Sequence, residues 1–423
     1  MSADELPHSE SRFRSLRHRN FRLFWSGQLV SLIGTWMQSV AQAWLLHRLT
    51  DSPMMLGLLG FAQFAPVTAF SLWAGVVADR FDKRKLLLAT QIFAMLQSVA
   101  LAVLATSGRA EPWMVLALAF LFGISNALDL PVRQSILVEM VGRQDLSNAI
   151  ALNSAGFNVA RIVGPAIAGV LLVTVGEAGC FWINAVSYLP VIVSLWQVRL
   201  PAREMASGAT LGSLREGIRY ALETTSIRNL LILLAICGGF GFQYNTLLPV
   251  YARSIFHSDA GVYGALMSAF GVGSLIAALS MTRALDRWSL RRNLLVGLIG
   301  AGIGLAVFAW SRWLPLTLAM GLLTGFGLIL YVASTNTLIQ MTTEDRYRGR
   351  VMSLYTFMFI GITPLGALLA GGIAERFGAP VASSVGALLL LGGALWVNAR
   401  LRFLREQEAA RARAAVPAAD EVG

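Results

Sequence analysis

The chain alternates long apolar runs with short polar breaks. Twelve runs of roughly twenty residues or more lie near 20–46, 54–78, 86–107, 113–139, 147–175, 179–198, 229–256, 260–283, 291–311, 315–341, 350–375 and 380–402. A helix rises 1.5 Å per residue, so about twenty apolar residues cross a ~30 Å hydrocarbon core. The shorter alternating segments of a membrane β-barrel are not seen. The pattern predicts an all-α polytopic membrane protein with twelve transmembrane helices. The longest polar stretch, 199–228, parts the runs six and six. The expected organisation is an N-terminal segment (1–19), a six-helix bundle (20–198), a linker (199–228), a second bundle (229–402) and a tail (403–423). Within the linker, LGSLREGIRYAL places Leu211, Leu214, Ile218 and Leu222 at helical spacing. That predicts an amphipathic helix on the membrane surface.

Composition agrees. Hydrophobic residues make up 56% of the 423 and charged residues 13%, about half the share of a soluble domain. The net charge of +11 would suggest nucleic acid in a soluble protein, but its placement points to topology instead. Arginine and lysine gather at the N-terminus, in alternate loops and in the tail: Arg12 to Arg22, Arg80 to Lys85, Arg143, Arg199 to Arg228, Arg283 to Arg292, Arg346 to Arg350, and Arg400 to Arg405. The intervening loops carry at most one arginine each. The positive-inside rule then puts both termini and the linker in the cytoplasm, as an even number of spans requires. MSADELPHSESRFRSLRHRN lacks the apolar core of a cleavable signal peptide. Cys180 and Cys237 lie in apolar runs and read as core residues, with no metal-site spacing.

The two halves repeat each other. A shift of 207 positions lays Gly57 on Gly264, Asp79 on Asp286, Arg80 on Arg287, Arg84 on Arg291 and Lys85 on Arg292. GVVADRFDKRK (75–85) thus has a weaker copy in LDRWSLRRN (285–293). A shift of about 201 aligns LVEMVGRQDLSNA with LIQMTTEDRYRGR. Two parallel six-helix repeats are a transporter architecture.

GVVADRFDKRK resembles the G-x-x-x-D-R-x-x-R-R/K loop signature of the major facilitator superfamily. Residues 126–172 resemble the branch that holds the bacterial enterobactin exporter and macrolide efflux pumps. The resemblance spans essentially the whole chain. It implies two six-helix bundles, alternating access by rocking, and export driven by the proton gradient across a bacterial cytoplasmic membrane. It also implies that Asp79 faces the start of the eleventh span, near Gly349 and Arg350. Asp82 departs from the signature, which often has glycine there.

The candidate residues carry two readings each. Gly75, Asp79, Arg80, Arg84, Asp286, Arg287 and Arg291 read as a gating latch. Gly75 allows close helix approach, and a carboxylate at Asp79 suits a helix N-terminus. The alternative is plain topological charge. Asp129 and Arg161, on adjacent antiparallel spans, are expected to pair deep in the membrane, as a proton-sensitive switch or a permanent structural pair. Arg133, shallower on the same span, is counted with this charge pair or, equally, as a gate or loop anchor. Gln38, Gln42, Asn126, Asn158, Gln243, Tyr244 and Asn245 are expected to line a cavity, with interhelical hydrogen bonding as the alternative. Gly164, Pro165 and Gly169 read as a close-packing, bending segment.

No HExxH, GxSxG or phosphate-loop motif occurs, and His8, His18, His47 and His257 are terminal or loop-adjacent. An enzyme and an ATP-driven pump are therefore not expected. The expected function is a secondary exporter of a small amphipathic molecule, a siderophore or drug-like compound. An importer or lipid transporter on the same fold is the alternative. The expected partners are the lipid bilayer and a small-molecule substrate, with no nucleic acid, for a monomer needing no cofactor beyond the proton gradient.

Overall fold

A computed structural model describes residues 13–198, 211–281 and 287–414, except the side chains at 71, 72, 74–76, 78–80, 143, 211–215, 287–289 and 401–414. Among the described residues, twelve helices are long and apolar enough to cross a membrane. The first six are α1 (Arg19–Thr50), α2 (Pro53–Arg80), α3 (Lys83–Thr106), α4 (Pro112–Gly142), α5 (Gln144–Thr174) and α6 (Gly176–Gln197). The others are α7 (Thr225–Ile255), α8 (Ala260–Ser280), α9 (Arg287–Trp310), α10 (Leu314–Thr342), α11 (Asp345–Phe377) and α12 (Ala379–Ala414). The end of the bundle that holds the start of α1 is called here the linker end, and the opposite one the far end.

The connections are short and each has a local cause. Ser52 caps α2 by accepting from the Met55 amide, and Pro53 opens the helix where its missing N–H costs nothing. Asp82 accepts from the Lys85 amide and caps α3, which accounts for its place in the signature loop. Gly142, at φ +71°, turns α4 directly into α5, a conformation that favours glycine.

Apolar side chains project outward as well as inward. Leu395 and Val170 are 73% and 65% exposed, as expected where the solvent is lipid. Exposed tryptophans sit near helix ends: Trp113, Trp310 and Trp313 at the far end, Trp196 at the linker end. That is the aromatic belt of a membrane protein. Cys180 and Cys237 are buried and free.

The expected linker helix runs Leu211–Glu223. Its described face docks on the start of α11. Glu216 pairs with Arg350 at 2.7 Å, and Tyr220 stacks on Tyr347 with ring centroids 4.2 Å apart. Tyr220 also accepts from the Glu344 amide at 3.3 Å. The linker is thereby bound to the second half.

Among the described residues, two seams join the halves. In one, α2 meets α11. A Cβ added at Gly57 would lie 2.7 Å from the Ala367 carbonyl oxygen, and Glu375 accepts from the Ser52 hydroxyl and the Met54 amide. In the other, α5 meets α8 where a Cβ on Gly264 would lie 2.6 Å from Gly169 Cα. Only residues without side chains allow that approach. Asp51, between α1 and α2, adds a link to Arg253 of α7 at 3.9 Å. These contacts run from the far end to about mid-depth. At the linker end, the ion pairs Arg14–Asp145, Lys83–Glu139 and Arg350–Glu216 each lie within one half and its linker.

Candidate functional site

Asp129 lies about halfway along α4 and is 4% exposed. Its partner is Arg133, one turn on along the same helix. Arg133 Nε donates to Oδ2 at 2.7 Å, and its Nη2 donates to the same oxygen. Oδ1 accepts from Thr90 Oγ1 at 3.0 Å and from Gln91 Nε2 at 2.7 Å, both on α3. The expected Asp129–Arg161 pair is therefore not formed. A four-residue spacing already brings two side chains together on a helix, and Arg133 takes the carboxylate without any crossing between helices. Arg133, expected either with this charge group or as a gate or loop anchor, is accordingly the ion-pair partner. Thr90 and Gln91 were not foreseen. Their signal in the sequence is two adjacent polar residues within an apolar run, one helical turn beyond the Lys83–Lys85 cluster.

Gln38 and Gln42, expected on a cavity wall, are inside the first half and 2% exposed. Gln38 Nε2 donates to Gln97 Oε1 at 2.9 Å, and Gln38 Oε1 accepts from Ser98 and Asn184 at 2.6 and 2.8 Å. Gln42 Nε2 donates to the Val115 carbonyl at 3.1 Å. These bonds tie α1 to α3, α4 and α6. The interhelical alternative is the one the geometry takes, because a buried amide left unbonded costs about 1–3 kcal/mol.

In the second half, α7 and α11 are broken. The helix from Thr225 ends at Gly241 and resumes at Tyr244. The helix from Asp345 ends at Ile360 and resumes at Thr363. CGGFG weakens the first. Pro364 lacks an N–H and crowds the preceding turn of the second. The two breaks face each other: a Cβ on Gly366 would lie 2.0 Å from the Gly239 carbonyl oxygen. Gln243 spans them, donating to the Gly239 carbonyl at 2.6 Å and approaching that of Thr363 at 3.5 Å. Gln243 is thus a clasp within the second half and 5% exposed, not an open wall.

Arg161 lies at the level where the α5–α8 seam ends. Its Nη2 donates across the halves to Ser274 Oγ on α8 at 2.5 Å. Tyr244 is near enough to interact electrostatically with it, and stacks on Phe270 with centroids 3.8 Å apart. Tyr244 itself is buried, while the neighbouring Asn245 is exposed. Asn126 and Asn158 are half-buried, and Asn158 Nδ2 donates to the Ser154 carbonyl on its own helix at 2.9 Å. Gly164 and Gly169 meet α1 and α8: a Cβ on Gly164 would lie 2.6 Å from Trp36 Cβ. Pro165, between them, sits within a continuous helix.

A family model described as transmembrane secretion effector matches residues 10–422. The chain is a major facilitator transporter of that family. The transporter is 27% identical over 360 residues to the staphyloferrin A transporter of Staphylococcus aureus, covering 84% of this chain and 90% of that protein. It is 27% identical over 356 residues to the multidrug efflux pump Tap of Mycolicibacterium fortuitum, covering 82% and 87%. The nucleoside transporter NupG shares its fold, with a TM-score of 0.72 over 90% of this chain and 98% of that one, at 12% identity.

The signature loop of this transporter is described in part. Gly75, Asp79 and Arg80 belong to α2, but their side chains lie outside the described residues, as does that of Arg287 at the start of α9; Asp286 lies outside them altogether. Arg84 donates to the Leu195 and Trp196 carbonyls at 2.7 and 2.9 Å. It caps the end of α6, within the first half. A cation on the last carbonyls of a helix also meets the favourable end of its dipole. Arg291 is half-buried in the first turns of α9. At the start of α11, a Cβ on Gly349 would meet nothing within 4 Å among the described residues.

Proposed function

We propose that this transporter exports a small amphipathic molecule, a siderophore or drug-like compound, across a bacterial cytoplasmic membrane by alternating access in exchange for protons. The observation that carries this reading is the one-sided joining of the halves. Among the described residues, the seams bind them from the far end to mid-depth, and the linker-end pairs Arg14–Asp145, Lys83–Glu139 and Arg350–Glu216 each stay within a half and its linker. With the basic loops cytoplasmic, this is a state that takes substrate from the cell interior. Both termini and the linker then lie in the cytoplasm, and the transporter works as a monomer. The relatives named as a staphyloferrin A transporter and a multidrug efflux pump support the substrate class, and the second supports the direction.

Among the described residues, Asp129 is the acid buried at mid-membrane, which supports it as the proton site. Four hydrogen bonds hold its charged form in this state. Proton uptake then requires Arg133 to leave, so protonation and a change of packing in the first half are one event. When the linker end closes, Asp79 meets the start of α11 as a latch, displacing the hold of Glu216 on Arg350. The test is uptake of a fluorescent efflux substrate into inside-out vesicles under an imposed pH gradient. Uptake is expected in the wild type, collapsing with a protonophore, and Asp129→Asn is expected to lose the dependence on the gradient. Wild-type transport indifferent to the gradient would reject proton exchange.

A further inference from the structure

Arg161 is a cation in the middle of the membrane with most of its hydrogen-bonding capacity unspent. It sits about 26 Å along α5 from the linker end and about 20 Å from the far end, at 1.5 Å per residue. It is half-buried. Its partner among the described residues is one hydroxyl, Ser274 Oγ, against five guanidinium donors. Among the described residues, the carboxylate buried at mid-depth, Asp129, is fully engaged by Arg133, Thr90 and Gln91. A cation at this depth is costly, and such residues face a partner or a water-filled path and mark function. The surroundings are aromatic. Tyr244 stacks on Phe270 beside it. Phe157, four residues earlier on the same face of α5, is 44% exposed, with Trp36 edge-on to it at 5.8 Å.

We infer that Arg161 is the subsite for a carboxylate of the transported molecule, whose apolar part lies against these rings. The inference rests on the transport reading above. The planar fork of a guanidinium matches the two oxygens of a carboxylate. A single positive charge in an apolar setting balances a single negative one, which favours a carboxylate over a dianion. The site also has a mechanical consequence. An arriving carboxylate competes with Ser274 for the fork, so binding removes a bond across the α5–α8 seam. The substrate thereby interacts differently with the state whose far end is closed and the state whose far end is open, as any ligand that shifts such an equilibrium must.

The test uses the full chain in lipid nanodiscs with two fluorescent probes, pyrenebutyrate and its methyl ester. The wild type is expected to bind the acid about tenfold or more tightly than the ester, the range for a hydrogen bond to a charged group. Arg161→Gln is expected to abolish that preference while retaining ester binding. Ser274→Asp supplies a carboxylate from the protein itself, and the same loss is expected there without removal of the arginine. That variant decides the matter should Arg161→Gln not fold. Equal wild-type binding of acid and ester, binding of neither, or an acid preference that survives these variants would overturn the inference. Export that proceeds without any acid preference rejects the carboxylate site alone. An acid preference without export in vesicles rejects the export reading alone.

Discussion

At mid-depth in the first half, two buried networks bond side chain to side chain; at the same depth in the second half, two broken helices meet through their backbone and one amide clasp. Gln38, Gln97, Ser98 and Asn184 bond across α1, α3 and α6, while Asp129, paired with Arg133 on its own helix, binds α4 to Thr90 and Gln91 of α3. All of these helices run through unbroken. In the second half, α7 and α11 are each interrupted near mid-membrane, and Gln243 clasps the interruptions. Aromatic stacking of Tyr244, Phe270 and Phe308 replaces the amide network. The difference teaches where each half is able to deform. A network of side chains resists rearrangement as a unit, because every broken bond strands a buried group. A helix break is a ready hinge, since its backbone groups already have partners outside the helix.

The strongest way to break this comparison is to strand the charge. Arg133→Met leaves Asp129 buried without its cation, and a loss of about 3–5 kcal/mol is expected. Thermal unfolding in detergent reads it as a large fall in Tm. A fall no larger than that of Arg161→Met would show that the Asp129 network does not stiffen the first half. Next in size is the seam. Gly264→Leu drives a side chain into Gly169, with an overpacking cost of about 1–3 kcal/mol. The halves are expected to part at the far end rather than strain there. Disulfide trapping between cysteines placed at Ser52 and Glu375 reads that as a lower yield. Unchanged trapping would place the deformable element elsewhere. The smallest effect sharpens the hinge. Gln243→Leu removes one clasp and about 1 kcal/mol. Hydrogen exchange is expected to quicken around 239–246 and 359–366 alone, whereas a global increase would mean that the second half is as tightly coupled as the first.

Much of this was legible in advance. Twelve apolar runs with alternating basic loops specify a polytopic helical protein, since length and burial of backbone leave a membrane segment little choice. The repeat of GVVADRFDKRK and the match over 126–172 pointed to the superfamily before any geometry. The site residues were found more often than their partners. Asp129 and Arg161 were recognised as intramembrane charges, yet Arg133, four residues from Asp129 in the same helix, was the partner at hand. Gln38 and Gln42 were recognised as unusual, but a polar residue on a spanning helix points either to a cavity or to a neighbour, and periodicity alone does not separate the two. Ser274 was missed because one serine among many small residues carries no signal.

By itself, the sequence determined the number of spans, their grouping in two repeats, and the presence of charge in the first half. Each depends on hydrophobicity or local backbone chemistry within a few residues. Tertiary structure alone decided that Asp129 is saturated while Arg161 has one hydroxyl partner among the described residues, and that Gln38 is interior. It also decided that the breaks at Gln243 and Gly361 meet. These are facts about which helix faces which, at a resolution of a single turn, and helix rotation is set by packing across the whole bundle rather than by any one segment.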